Sequence, residues 1–506
     1  MLDDGITASL PVIDVSDQLA DVADRAWAAL VAANDEQFPR VLNHGGSLAR
    51  VDADDGDSLV HHYNRDSLPA RLSRVANFVR TTQRGFSSAY PPGEVVRALL
   101  TFPSDPDVEG KVPRLSRVVT APCFAPDRTL VVRPGLHIPS GLYYAPSPST
   151  DFLAPSDHPS DAELSTARDV IDDLLWDFPF KDGSDRANAI ALMLLPFVRE
   201  MIDGPTPLHY VGAPQAGTGK TTLVRACLAP ALGSVPDESG PTDDEEWRKK
   251  ITAQLLQSPS AVFFDDAGDL DSRPLAQALT TSTWRDRILG SSTTVSLPVR
   301  CVWAATGNNL RVAAPLARRF VPIRLDAEME RPWYRASFRH PDVTTYALES
   351  RVRLAWAALT LAQRWVAESA SEAGAPVGAA RIGYAPYERV LGGILRSAGI
   401  SGFLDNHVEF TEIEDDSDEL GGFFSKWHVL NTGPLTVREI EQLVRPLGAL
   451  YNDAPASMRV SEDRTLPARL PQWLRLHRDR VAAGLKLTQS QHRSTNGRRM
   501  WEVKSV

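Results

Sequence analysis

This sequence lacks abundant cysteine, long apolar runs and a basic leader. Its 506 residues include three cysteines, Cys123, Cys227 and Cys301, which lie far apart and without CxxC spacing. Neither a disulfide framework nor a zinc site is therefore predicted, and a reducing compartment fits. The longest apolar stretch, residues 187–198, contains a proline and is shorter than the ~20 residues of a membrane span. Because the first residues are acidic where a signal peptide is basic, we expect a soluble cytoplasmic protein with no membrane partner.

An excess of positive charge is missing as well. Lys and Arg number 54 against 64 Asp and Glu, so the formal net charge is −10, and an acidic mean argues against a nucleic-acid partner. The charge is segregated, however. Residues 459–506 hold eleven Lys or Arg and four acids, whereas residues 405–419 hold eight acids and neither Lys nor Arg. The distribution predicts a basic module that follows an acidic loop.

What the sequence does contain is a glycine-rich loop between a short apolar strand and a helix. The segment comprises Pro214, Gln215, Ala216, Gly217, Thr218, Gly219, Lys220, Thr221 and Thr222. It matches the pattern GxxxxGK followed by Ser or Thr, except that Pro214 stands where the first glycine is usual. Gly217 and Gly219 allow a tight turn whose N–H groups face phosphate oxygens.

Two side chains of this loop carry the phosphate chemistry. Lys220 is placed to reach the β- and γ-phosphates, and Thr221 offers a hydroxyl to Mg²⁺. The loop therefore predicts that ATP and Mg²⁺ bind at residues 214–222. The alternative interpretation is an ordinary corner between a strand and a helix.

A second apolar strand, residues 261–264, ends in two aspartates, Asp265 and Asp266. In P-loop enzymes a carboxylate at this place holds the Mg²⁺ shell. A second acid beside it can orient or deprotonate the attacking water. We therefore assign Asp265 to Mg²⁺ and Asp266 to the water.

A third apolar strand leads to residues 306–309, Thr-Gly-Asn-Asn. If this strand is inserted between the first two, Asn308 at its tip can contact the γ-phosphate and the water. The alternative is a turn asparagine beside a glycine. Ten residues later, Arg318 and Arg319 precede another apolar strand. They are either a solvated helix end or an arginine finger that reaches the γ-phosphate of a neighbouring subunit.

In this order, the four motifs resemble the AAA+ P-loop ATPase core, and the close spacing of Asn308 to the two arginines is most similar to superfamily 3 helicases. Residues 287–290 and 337–341 look like the helicase part of primase-helicase proteins of phages, plasmids and integrative elements. The resemblance covers residues 161–404. It implies a ring, a hexamer in this family, that hydrolyses ATP between subunits and tracks along one DNA strand. A primase or another replication protein is an implied partner.

The predicted fold class is α/β, with helices flanking a parallel sheet in the P-loop core. We expect an N-terminal α/β domain over 1–145, the ATPase core over 160–330, a helical subdomain over 331–404, an acidic linker over 405–422 and a winged-helix-like basic domain over 423–506. Apolar spacing also predicts a helix over 68–80 and a continuous helix over 348–367.

Two regions are candidates for DNA contact. The resemblance implies a pore hairpin over 285–298, where Arg285 and Arg287 stand but the lysine usual in superfamily 3 is missing. The alternative is a surface loop. The basic C-terminal domain is the stronger candidate, because helices followed by a β-wing resemble a winged helix. Its wing carries Lys486, Arg493, Arg498 and Arg499. The alternative there is a protein contact.

Three functions remain open on the sequence alone. The first is an ATP-dependent DNA helicase or replication-initiator ATPase of a mobile genetic element. The second is a protein remodeller or defence ATPase with the same motor, suggested by the missing hairpin lysine. The third is a nucleotide-binding scaffold that does not cycle, suggested by Pro214 and by the short Asp266.

Overall fold

The computed structural model divides the chain into two compact units, Met1–His407 and Val408–Val506. It describes residues 10–54, 57–105, 112–147, 150–241, 243–267, 272–287, 294–308, 318–329, 331–369, 382–407, 417–430, 433–445, 448–455, 470–471, 473–475, 478, 481–482, 484–493 and 499–505. In that part of the chain, every helix is too short or too polar to cross a lipid bilayer.

Among the described residues of the first 145, the chain forms small sheets and three helices. The helices are α1 (Leu19–Ala32), α2 (Leu68–Leu72) and α3 (Gly93–Thr101), the last followed by a 3-10 turn. The strands are β1 (Val12–Asp14), β2 (Leu42–His44), β3 (Ser47–Asp54), β4 (Asp57–His62), β5 (Asn77–Thr82), β6 (Gly85–Ser88), β7 (Arg117–Val119), β8 (Cys123–Phe124), β9 (Leu130–Val131), β10 (Gly135–His137) and β11 (Leu142–Tyr144). They pair as β1-β5-β6, β2-β3-β4, β10-β11-β7 and β8-β9. Helix α1 buries Ala26, Trp27 and Leu30 on one face, at helical spacing.

The helix predicted over 68–80 is wrong in its second half. Helix α2 ends at Leu72, and β5 begins at Asn77. Strand β5 pairs in parallel with β1, where Ile13 lies opposite Phe78, and in antiparallel with β6. The apolar residues of this segment suit a buried strand as well as a helix, and β-branched and aromatic residues favour the strand once neighbouring strands are present.

The centre of the first unit is a five-stranded parallel sheet. Its strands are β12 (Leu208–Ala213), β13 (Asp237–Ser239), β14 (Ala261–Asp265), β17 (Val302–Asn308) and β18 (Phe320–Arg324). The order across the sheet is β13-β14-β17-β12-β18, and every neighbouring pair is parallel. The three middle strands are almost continuously buried, as parallel strands covered on both faces are. The predicted α/β class with a parallel sheet is confirmed, and β17 lies between β12 and β14.

Helices surround this sheet. They are α4 (Asp161–Leu175), α5 (Gly183–Val198), α6 (Lys220–Leu232), α7 (Asp244–Leu256), α8 (Arg273–Ala278), α9 (Val343–Glu349), α10 (Arg351–Ser369) and α11 (Ala385–Ser397). Helix α5 is apolar on all sides from residue 189 to 198 and is buried along nearly its whole length, which fits its packing against α6 and β18. The helix predicted over 348–367 is interrupted: α9 ends at Glu349, and α10 starts after Ser350. A separate hairpin, β15 (Thr283–Arg287) and β16 (Thr294–Pro298), precedes β17.

The second unit combines helices with an antiparallel sheet. Its helices are α12 (Ser417–Leu430) and α13 (Val437–Val444), and its strands are β19 (Leu435–Thr436), β20 (Val481–Ala482), β21 (Leu485–Arg493) and β22 (Arg499–Ser505). The strand order is β19-β22-β21-β20. Helix α13 begins with a capping box between Thr436 and Glu439. Phe423, Leu487 and Trp501 belong to the core of this unit.

Candidate nucleotide-binding site

The glycine-rich loop lies at the carboxyl end of β12, directly before α6. Gly217 and Gly219 have φ of +77° and +93°, in the left-handed region that side-chain-bearing residues rarely adopt. A Cβ on Gly217 would also come within 3.3 Å of Trp333. The Thr218 hydroxyl donates to the Gln215 carbonyl at 3.3 Å and closes the loop internally. The shape of the loop therefore depends on glycine at both positions.

Lys220 is the first residue of α6 and lies beneath this loop, with 9% of its surface exposed. Its Nζ donates to Asn308 Oδ1 at 2.7 Å, which joins the end of β12 to the end of β17. Burial lowers the pKa of Lys220, while Asp266 and Asp265 act in the opposite direction. Two acids thus lie close enough to the ammonium group to influence it, as they would in a site that also holds a divalent cation.

Asp265 joins the third strand end to the same place. Its Oδ1 accepts hydrogen bonds from the Thr221 hydroxyl at 2.7 Å and from the Thr306 hydroxyl at 2.5 Å. Hydroxyl and carboxylate oxygens are ligands that Mg²⁺ accepts, usually together with phosphate oxygens and water. Thr221 and Asp265 therefore fit a nucleotide-bound Mg²⁺, for which they would supply protein oxygens.

Asp266 follows the strand in an uncommon conformation. Its φ is +48°, and its backbone N–H donates to the Thr306 hydroxyl at 2.9 Å. A residue with a side chain pays about 1–3 kcal/mol for such a backbone, and it persists where the surroundings hold it. Asp266 is exposed, unlike the buried strand that precedes it. The carboxylate is thus available to a bound water at the edge where Lys220 and Asp265 lie.

The two arginines lie at the opposite edge of the sheet. They precede β18, and the Arg319 carbonyl accepts from the N–H of Leu208, the first residue of β12. The glycine-rich loop leaves the other end of β12, about 16 Å away at ~3.3 Å per residue. The structure therefore does not bring Arg318 and Arg319 together with Lys220 within one chain.

The environments of the two arginines differ. Arg319 is half-buried, and its Nη1 donates to the Ala276 carbonyl at 3.3 Å. Arg318 is exposed, and its side chain makes no hydrogen bond or ion pair with the described residues. Of the two, Arg318 is therefore the side chain that is free to reach a second molecule.

The hairpin β15–β16 presents its two arginines to solvent. Arg285 and Arg287 alternate with the buried Trp284 and with Asp286, so they share the exposed face of β15. Asp286 accepts from Arg248 at 2.6 Å and from the Thr252 hydroxyl at 2.6 Å, which ties the hairpin to α7. Residues 288–293, at the hairpin tip, lie outside the described residues.

Three of the predicted DNA-contact residues of the second unit, Lys486, Arg493 and Arg499, lie on its hairpin β21–β22. Lys486 pairs in register with Lys504, and Arg493 with Arg499 at the end of the ladder. Arg499 is exposed and Lys486 is half-buried. Arg498 lies outside the described residues. Helix α13 ends at Val444, and the two strands of the hairpin have nine and seven residues.

Sequence reasoning missed three residues of the site. Thr306 links Asp265 and Asp266, and its place directly before Gly307 and Asn308 was a usable signal. Trp333 and Phe178 lie beside the loop glycines, at 3.3 Å and 3.6 Å from the positions where a Cβ would stand on Gly217 and Gly219. No motif spacing pointed to these two aromatic residues, because they come from segments far from the loop in the chain.

Comparisons with known proteins find structural neighbours only. No family model matches the chain, and no curated protein does. Solved structures that match include the apo C-terminal region of NrS-1 (11% identity, 79% of this chain and 78% of that one, TM-score 0.35) and the active helicase Cch of SCCmec type IV (11%, 80% and 82%, TM-score 0.31). A JCV helicase also matches (17%, 50% and 72%, TM-score 0.21). These values are too low to assign a fold or an activity to the chain.

Proposed function

We propose that this protein is an ATPase with an AAA+ core. One observation carries the proposal: the ends of three neighbouring parallel strands are joined by the bonds Lys220–Asn308 and Thr221–Asp265. A lysine, an amide, a hydroxyl and a carboxylate thus meet beside a loop of left-handed glycines. This set suits a triphosphate with its Mg²⁺.

In this proposal each group has a separate task. Lys220 and the loop N–H groups hold the phosphates, while Thr221 and Asp265 supply oxygens to Mg²⁺. Asp266 accepts a proton from the attacking water or orients it, and Asn308 holds the γ-phosphate and the water in line. Charge that develops on the transferred phosphoryl group is stabilised by Lys220 and by a guanidinium.

That guanidinium is Arg318 of a neighbouring subunit. Within one chain it lies at the wrong edge of the sheet, so a contact with the γ-phosphate requires a second copy. A closed ring satisfies this requirement at every interface, because each subunit offers Arg318 at one edge and the phosphate loop at the other. We propose a hexamer, in line with the resemblance to superfamily 3 helicases.

The ATPase is proposed to act as a DNA helicase or replication initiator of a mobile genetic element. Support comes from the motif order, from the exposed Arg285 and Arg287 on a hairpin next to β17, and from the basic hairpin of the second unit. We interpret that unit as a winged helix, whose Lys486, Arg493, Arg498 and Arg499 contact the DNA backbone.

A protein remodeller or defence ATPase is the second candidate. It is favoured by one observation: residues 283–298 contain no lysine, so the hairpin lacks the group that superfamily 3 helicases use on DNA. The same ATP site would then drive movement of a protein partner, and DNA would leave the turnover rate unchanged.

The deciding experiment measures ATP turnover with and without single-stranded DNA, together with native mass and unwinding of a forked duplex. The proposal expects a ring, turnover that rises with DNA, and strand separation that needs ATP. Lys220→Ala serves as the inactive control for both reactions. Full hydrolysis without a response to single- or double-stranded DNA would reject the helicase and favour the remodeller.

A further inference from the structure

The N-terminal region carries a basic segment inside an acidic chain. Residues 63–92 hold five arginines and a single acid, Asp66. Strands β5 and β6 form an antiparallel hairpin within this segment, joined by a two-residue turn at Gln83 and Arg84. All residues from Arg80 to Ser88 are exposed, so both faces of the outer part of this hairpin are open to solvent, whereas Phe78 at its base is buried. We call residues 77–88 the N-terminal ribbon.

The cations of the N-terminal ribbon are not neutralised. Neither Arg80 nor Arg84 makes a side-chain ion pair with the described residues, whereas the exposed Arg25, Arg97 and Arg339 each do. The acid at the base of the ribbon is Asp14, which accepts from the Thr81 hydroxyl and from the Ser16 N–H at 2.9 Å. Its hydrogen bonds to Thr81 and Ser16 hold the pKa of Asp14 at about 2. The remaining side chains near the turn are Thr, Gln and Ser, which donate hydrogen bonds.

Two large aromatic side chains stand on the same element. Phe86 is 73% exposed in β6, and Tyr90, two residues beyond the strand, is 90% exposed. Phe86 lies opposite Thr81, whereas Arg80 lies opposite Ser87, so Phe86 and Arg80 are on different faces of the ribbon. Unpaired guanidinium groups next to solvent-exposed rings are the pattern of single-strand binding, where phosphates meet cations and bases stack on aromatics.

We infer that the N-terminal ribbon binds single-stranded nucleic acid, with Arg80 and Arg84 on the phosphates and Phe86 and Tyr90 against the bases. A flexible strand that crosses the turn at Arg84 can reach both faces of the ribbon. A duplex keeps its bases stacked on one another and is stiff over about 150 base pairs, so it leaves Phe86 without a partner. The inference gives a role to the N-terminal region and extends the proposed function, but it does not depend on the ATP site.

The test is photo-cross-linking of the full chain to a single-stranded oligonucleotide that carries 5-iododeoxyuridine, without ATP. Because the second unit is also proposed to bind DNA, the adducts are mapped by peptide mass spectrometry. We expect adducts on Phe86 or Tyr90. Adducts confined to residues 417–505, or equal labelling from a duplex of the same sequence, would overturn the inference. Lys220→Ala protein is expected to give the same adducts. A failure of the proposed ATPase function would therefore leave the test of the N-terminal ribbon unaffected.

Affinity gives a second readout. Each phosphate contact to a single strand contributes about 0.7 to the slope of log K against log salt. Arg80→Ala with Arg84→Ala is therefore expected to reduce the slope by about 1.4 and the affinity at 0.1 M salt by about 25-fold. Phe86→Ala is expected to cost about tenfold with the slope unchanged.

A matched control removes two other exposed arginines, Arg353 in α10 and Arg396 in α11, by substitution with alanine. The control is expected to bind as the unchanged protein does. Equal losses in the control and in the ribbon variant would mean that net charge, not the ribbon, sets the affinity. Such a result would also overturn the inference.

Discussion

The carboxyl edge of the parallel sheet differs from the two antiparallel hairpins, β5–β6 and β21–β22, in how its polar and charged side chains are arranged. At the sheet edge, residues that directly follow three buried strands meet within hydrogen-bond distance, because parallel neighbours end at one edge. On the hairpins, exposed cations such as Arg80 and Arg499 lie along the strands and are not gathered at one buried point. In the proposed function, the first arrangement serves chemistry, whereas the second offers charge to a partner. Substitutions should therefore abolish function at the edge and weaken it gradually on the hairpins.

The largest effect is expected at Lys220. Lys220→Ala removes the buried ammonium that bonds Asn308, which is the cation proposed to hold the phosphates, so ATP hydrolysis should fall to the level of a blank. The measurement is steady-state phosphate release. Lys249→Ala is the matched control, since this lysine lies on α7 and pairs with Glu245 and Glu246 on its own helix. A Lys220→Ala protein that still turns over ATP would place the active site elsewhere.

The next largest effect is expected at Arg318, which lies at the sheet edge opposite Lys220. Arg318→Ala should lower the turnover rate by about 10³-fold and spare ATP binding, because a finger acts on the transition state. Arg319→Ala should cost less, since its guanidinium is occupied by the Ala276 carbonyl. Mixed assemblies of Arg318→Ala and Lys220→Ala subunits should regain some hydrolysis, because an intact loop then meets an intact finger. Mixtures that stay inactive would contradict a finger acting between subunits.

Asp265 and Asp266 are neighbours to which the proposed function gives different tasks, and conservative substitutions should separate these tasks. Asp266→Asn should lower the turnover rate by about 10²-fold with little change in KM, as loss of a general base does. Asp265→Asn should instead raise the Mg²⁺ concentration needed for half-maximal rate. Initial rates over ATP and Mg²⁺ series distinguish the two. Unchanged turnover in Asp266→Asn would favour a nucleotide-binding scaffold over an enzyme.

The difference between the sheet edge and the exposed hairpins also explains which residues the sequence predicted correctly. The phosphate loop, Asp265 and Asn308 each follow an apolar strand, so local patterns located them and the insertion of β17 brought them together. The edge occupied by Arg318 follows from the parallel pairing of β18 with β12, and no local pattern contains this pairing. Residues 68–80 show that an apolar pattern alone does not distinguish a helix from a strand. Val75, Phe78 and Val79 fit a helical stripe and a buried strand equally well. The pairing of β5 with β1 decides in favour of the strand. The exposed residues of the ribbon have no apolar period at all.

Acid should destabilise the first unit. His44 is 2% exposed and contacts His62 at 3.0 Å and Ser258 at 2.7 Å. Burial and then the neighbouring His62 lower the pKa of His44 from 6.5 to about 4. The folded state therefore binds fewer protons than the unfolded state, and stability falls as the pH drops from 6.5 towards 4, by about 3 kcal/mol in full. Urea unfolding at pH 7 and pH 4.5 should show this loss, and His44→Gln should make it smaller. An equal pH dependence in His44→Gln would assign the loss to other groups.

The smallest effect is expected on the hairpin of the second unit. Lys486→Ala and Arg499→Ala each remove one cation from the hairpin, so each should weaken single-strand binding by about fivefold at 0.1 M salt and reduce the salt slope by about 0.7. ATP turnover without DNA should stay unchanged, because neither residue belongs to the phosphate-binding edge. Thr488→Ala, on the same strand, keeps the charge and serves as the control. If ATP turnover without DNA fell together with DNA affinity, the hairpin would act on the ATP site itself. The carboxyl edge of the parallel sheet and the hairpin β21–β22 would then not have separate functions.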